Sequence, residues 1–217
     1  MNRRITRYKK ESQAKNIFYT HLENNIKAYF IVSVLFIIGV IIGIIFINNL
    51  QDTQKSEISE YLNSFITALK NNQEINDGVL LKESILKNLK LTLFLWFMGM
   101  SVIGILGVYL AICFRGFILG YTISSAIAFL GLNRGLIFIF TSLFLQTLLF
   151  VPSILALAVS GIKLYNSIMK DRRKENIKLE ILRHTMFSIA ILVVLIICSF
   201  IEVNISKNFL TLCIKYL

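Results

Sequence analysis

Charged residues are scarce in this 217-residue chain. They make up 16% of it, against about 25% in ordinary soluble domains, while apolar residues make up 56%. That balance excludes a water-soluble fold around one core and points to a protein embedded in a bilayer. Proline occurs once, at Pro152, so apolar helices can run uninterrupted everywhere else. A membrane barrel is excluded too, because its strands alternate apolar and polar residues over about 10 positions. The runs here are apolar on every side.

The residues that carry chemistry are equally sparse. The two histidines, His21 and His184, lie in basic segments, no HExxH is present, and zinc-ligand spacing is absent. Cys113, Cys198 and Cys213 form no CxxC pair, so they describe neither a disulfide framework nor a redox motif; they read as small apolar packing residues. There is no GxxxxGK[ST] loop for phosphate. Ser84-Ile85-Leu86-Lys87 fits SxxK, but Ser12–Lys15 and Ser167–Lys170 fit it as well, and neither SDN nor KTG accompanies them. No Asp or Glu falls in the middle of an apolar run, so no carboxylate proposes a proton path. Catalysis, a metal and a cofactor are not expected.

What is present is a series of apolar runs separated by basic segments. A helix rises about 1.5 Å per residue, and about 20 residues cross the hydrocarbon core. Runs at 28–48, 91–113, 116–132, 136–162 and 186–203 fit that length approximately. The expected fold class is all-α, a polytopic membrane protein of about five transmembrane helices with an amphipathic helical extracytoplasmic loop. A basic cytoplasmic segment, 1–27, precedes a single helical membrane domain, 28–217; it is read either as a topology signal or as a docking arm. The first run is no signal peptide, since Asn48-Asn49 stand where a small-residue cleavage site is needed. It carries Gly39 and Gly43 in GxxxG spacing.

Arg115-Gly116 interrupts the second and third runs and predicts a tight hairpin there, with Arg115 as an interfacial anchor. Gly116, Gly120, Ser124 and Ala128 then lie four apart, a row that serves either as a packing seam or as a functional groove. In the fourth run Gln146 is expected to face the protein and Pro152 to kink the helix. Between the first two runs, Ile58, Tyr61, Leu62, Phe65, Ile66 and Leu69 follow one helix face, which makes the loop a lid on the membrane or a surface for a partner. Lys and Arg number seven before the first run, one at position 115 and seven across 163–184, against eight in the alternate segments. This places the N-terminus in the cytoplasm and the C-terminus outside it. The net charge of +11 is thereby explained by topology and anionic lipid, without nucleic acid.

Asn88-Leu89-Lys90, Gly99, Gly104 and the run from Phe114 to Thr122 resemble the stage II sporulation protein M family. That family carries N-L-[RK] at the start of a membrane helix and G-F-x-x-G after a short turn. Gln146 followed by Phe150-Val151-Pro152-Ser153 is similar to its next motif. The broader family often has His-Gly and a Glu where this chain has Gln146-Thr147 and Phe150, which favours the sporulation branch. The resemblance implies a non-enzymatic scaffold of the cell membrane, located at the sporulation septum. There it would hold the peptidoglycan-degrading stage II sporulation proteins D and P during forespore engulfment. Gly99, Gly104, Arg115, Gly116, Gly120, Gln146 and Pro152 are the candidates for helix packing or partner contact. The rival class is a permease or a membrane subunit of an export system, which would need broken helices and a polar path.

Overall fold

The computed structural model describes residues 25–70, 77–101, 103–142, 144–170 and 174–203. The basic segment up to residue 24 and the tail from 204 lie outside them, as do the side chains of Phe65, Ile66, Leu69 and Gln146. Every described element is helical: α1 (Ile26–Asn48), α2 (Asp52–Lys70), α3 (Asp77–Met100), α4 (Gly104–Leu130), α5 (Leu132–Ser142), α6 (Phe144–Lys170) and α7 (Lys174–Ile201). Among the described residues, four stretches are long and apolar enough to cross a membrane: Ile26–Asn48, Gly104–Leu130, Thr147–Met169 and Ile177–Ile201.

The expected hairpin at Arg115-Gly116 is not where the chain turns. Both residues lie inside the continuous helix α4, and the turn falls between Met100 and Gly104, held by Ser101 N–H on the Met98 carbonyl (3.2 Å) and Gly104 N–H on the Ser101 carbonyl (3.0 Å). A charge does not break a helix, and arginine is among the better helix formers. The turn forms instead where backbone must approach backbone, because a methyl group on Gly104 would collide with the Met98 carbonyl. The runs at 91–113 and 116–132 are therefore the end of α3 plus one 27-residue helix.

α1 and α4 pack in parallel. Gly39 lies on the Cys113 carbonyl and Gly43 on that of Phe117, while Gly116 lies on the Phe36 carbonyl and Gly120 on that of Val40. Each pair keeps nearly the same offset, so the two helices run in one direction with glycine facing backbone on both sides. Phe46 closes the seam, its ring 5.6 Å from Phe117 and 6.3 Å from Tyr121. The rest of α1 exposes Phe30, Ile37, Ile41 and Ile45, as a lipid-facing helix does.

α6 is the central helix. Its stretch from Ala156 to Ile162 is buried on every side, and the small residues Ala156, Ala158, Ser160 and Gly161 let neighbouring helices close in. The core joins Val32 of α1, Leu95 of α3, Val108 and Ile112 of α4, Leu157 of α6 and Leu195 of α7. Beyond α4 the chain reverses at Gly131, whose φ of 81° suits glycine, and α5 folds back with Gly135 against Ala126 and Ile127. The run expected at 136–162 is thus divided between α5 and α6.

Bulk at the α1–α4 seam should be resisted according to what it meets. At Gly120 a side chain meets the backbone of Val40, so Gly120→Leu should sharply lower folded protein in the membrane. At Gly107 it meets only the flexible end of Met98, and Ile118 is 39% exposed; Gly107→Ala and Ile118→Leu should therefore match the parent. Membrane abundance and thermal unfolding in detergent compare the three, and parental behaviour of Gly120→Leu would refute the seam.

Candidate functional site

α3 is amphipathic in an unusual sense, because its inward face is polar. Ser84, Asn88, Thr92 and Trp96 recur every four residues, so they share one face of the helix. That face lies against α7. Ser84 Oγ donates to Glu202 Oε2 at 2.5 Å and lies 3.0 Å from Ser199 Oγ. Asn88 Nδ2 donates to Ser199 Oγ (2.9 Å) and to the Leu195 carbonyl (3.2 Å), and Trp96 Nε1 donates to Thr185 Oγ1 (3.1 Å). Partners descend on α7 as they ascend on α3, so the two helices are antiparallel. Asn88 is 5% exposed and Ser199 fully buried, so these bonds form in a medium where an unmade one is costly.

At the other end of the seam sits His184, 2% exposed. Its Nδ1 lies 2.9 Å from Ser160 Oγ on α6. Its Nε2 has no hydrogen-bond partner among the described residues. The ring fits because Gly99 and Gly161 cross beside it: a methyl on Gly99 would lie 2.9 Å from both Gly161 Cα and His184 Nε2. Gly99, singled out in the sequence, is therefore the room for an imidazole. His184 itself was read there as part of a basic segment.

Arg115 lies midway along α4. Its neighbour Gly116 meets α1 between Phe36 and Val40, the centre of that apolar helix, so Arg115 stands at mid-length of both helices and at the end of neither. The guanidinium is half-buried and stacks over the Phe150 ring of α6, 5.2 Å from its centroid. Neither described ion pair, Lys55–Asp52 and Arg183–Glu180, involves it. Pro152, two residues beyond Phe150, is exposed and removes the bond that would reach the Leu148 carbonyl. It lines an apolar groove of about 460 Å³ with Phe36, Leu119, Phe140 and Leu148. Gln146 is on α6.

The structure thus brings Gly116 and Gly120 together on α1, places Gly99 at the histidine and Gly104 at a turn, and separates Arg115 and Pro152 from both. Ser199, Glu202, Ser160 and Trp96 were missed. The available signal was the four-residue spacing of polar residues from Ser84 to Trp96, which the apolar i, i+3, i+4 pattern on the same helix obscured. Among the described residues no group of His, Cys, Asp and Glu could hold a metal ion.

Removing half of a buried pair should cost more than removing an exposed contact. Ser160→Ala leaves both imidazole nitrogens of His184 without a side-chain partner, and Asn88→Leu takes the amide donor from Ser199 Oγ and the Leu195 carbonyl. Each is expected to destabilise the protein by about 1–3 kcal/mol. Thr67→Ala, whose hydroxyl bonds an exposed carbonyl on α2, should change little. Thermal unfolding in detergent reads all three.

The family model described as Stage II sporulation protein M matches residues 32–207, from the second turn of α1 through the end of α7. No curated protein and no solved structure matches the chain. With most of its length matched and four helices fit to cross a bilayer, the chain is a sporulation-related integral membrane protein and belongs to the stage II sporulation protein M family.

Proposed function

We propose that this protein is a non-enzymatic membrane scaffold for endospore formation, recruiting or holding the peptidoglycan-degrading stage II sporulation proteins D and P at the septum during engulfment. The observation that carries this reading is how the buried polar groups are used. Ser84, Asn88, Ser199 and Trp96 all bond across helices, so they serve assembly of the frame. The serine of the SxxK match donates to Glu202, while Lys87 on the same helix is exposed. A permease draws some support from the interruption between α5 and α6. Its apolar neighbouring groove offers no polar path, which weighs toward the scaffold.

The proposed topology has five crossings, α3 joining the four apolar helices as the second in chain order. At 24 residues it is about 36 Å long, enough to cross, and its polar groups are satisfied by α7. With Arg115, Lys87 and Lys90 left out as residues within the crossings, Lys and Arg still number fourteen on the N-terminal side against six opposite. The parallel α1–α4 pair agrees in parity, since first and third crossings must run the same way. The N-terminus is then cytoplasmic, α2 extracytoplasmic and the C-terminus outside.

Two measurements test this. In a background with the native cysteines replaced, Tyr61→Cys should react with an impermeant thiol reagent from outside, and Arg173→Cys only after permeabilisation; the reverse overturns the topology. A tagged chain isolated from sporulating cells should recover proteins D and P. Recovery of neither would overturn the scaffold.

A further inference from the structure

The outward face of α3 carries charge at the depth of the apolar middle of α1. Gly104 stands twelve residues before Gly116, which meets the centre of α1, so the α3–α4 turn is level with the start of α1. From Gly99, beside that turn, Lys90 is nine residues up α3 and Lys87 twelve, roughly 13 Å and 18 Å at 1.5 Å per residue. α1, with 23 residues, is about 34 Å long. Both lysines therefore lie near the middle of the layer that α1 spans. Both are exposed, and so are the apolar residues around them on that face: Leu86 at 41%, Leu93 at 53%, Phe94 at 43% and Phe97 at 62%. The inward face of the same helix is filled by α7. Neither lysine takes part in a described ion pair; the one carboxylate on the same face, Glu83, lies one turn beyond Lys87.

Ammonium groups on a surface surrounded by hydrocarbon are costly, and a lysine side chain covers less than half the distance to either end of α1. Lipid phosphate is thus out of reach from this depth. A second copy of the chain brings only Glu83 near this level, one carboxylate against two lysines, so a pair of α3 helices keeps an excess of positive charge. We infer that this face of α3 is a docking surface for a transmembrane helix of a different protein, one carrying Asp or Glu at mid-depth with an apolar surface around it. The aromatic and leucine side chains supply the packing, and Lys87 and Lys90, three apart on one face, set the depth at which the partner engages. This deepens the scaffold reading, for which it supplies the contact inside the membrane.

The test uses the full chain reconstituted in phosphatidylcholine vesicles and a fluorescent polyleucine transmembrane peptide. One version carries two Glu, three residues apart, at its midpoint; one carries Gln there; one carries the two Glu at its end. Energy transfer should report about tenfold tighter association of the mid-Glu peptide than of the other two, as expected for close charge pairs out of water. Lys87→Gln with Lys90→Gln should abolish the preference; both residues are exposed, and an unchanged melting curve shows that the variant folds. Equal binding of all three peptides, or a preference that survives the double substitution, overturns the proposal. So does a preference lost on adding phosphatidylglycerol, which would assign the lysines to lipid, or self-association of the chain that excludes every peptide. Loss of the peptide preference with proteins D and P still recovered from cells refutes this face alone. A retained preference with neither enzyme recovered refutes the scaffold alone.

Discussion

The architecture depends on backbone contact between α1 and α4. Inside a bilayer apolar side chains gain little by leaving lipid, so helix association rests on close packing and polar bonds. Gly39, Gly43, Gly116 and Gly120 supply the packing by letting two backbones meet where any side chain would hold them apart. Direction follows from it, since alternating glycines on parallel helices keep one offset along the whole seam. Depth follows as well: once α4 is registered against α1, the levels of Arg115, of the α3–α4 turn and of everything α3 carries are determined.

The opposite flank uses the second means. α3 contains Lys82, Glu83, Lys87 and Lys90 and is not among the helices apolar enough to cross on composition alone. What holds it is the ladder to α7, in which a neutral amide, two hydroxyls and a carboxylate meet only in one register. A one-turn slip would leave several of them unpaired in a dry interface, a penalty that apolar side chains would not impose. Apolar packing around α6 then fills the centre without needing to specify the arrangement.

Legibility in the sequence divides along the same line. Long apolar runs, the glycine pairs and the presence of a helix at α2 were readable because each is a local pattern with one period. The turn was misplaced because a lone charge in an apolar run usually marks its end, whereas Arg115 is carried through the helix by the ring of Phe150. That ring is 35 positions away, and nothing local announces it. His184 was lost for the same reason: beside Arg183 it reads as part of a basic loop, and its partner Ser160 and its space at Gly99 come from two other helices. The polar ladder was half visible, since the spacing from Ser84 to Trp96 is regular, but its meaning lies in residues more than 85 positions later.

These two seams together explain why charge remains at the perimeter. The small-residue contact on α4 and the polar ladder on α3 consume the faces that could otherwise bury cations, and the chain has 23 basic residues against 12 acidic ones. Arg115 takes an aromatic face and Arg183 a carboxylate on its own helix. Lys87 and Lys90 cannot turn inward, because Ser84 and Asn88 already occupy that side and are held there by α7. A rotation of α3 that hid the lysines would break the ladder that keeps the helix in the bundle. On the topology proposed above, the packing that stabilises this protein also fixes an exposed cationic face at mid-depth, and the proposed partner helix relieves its cost.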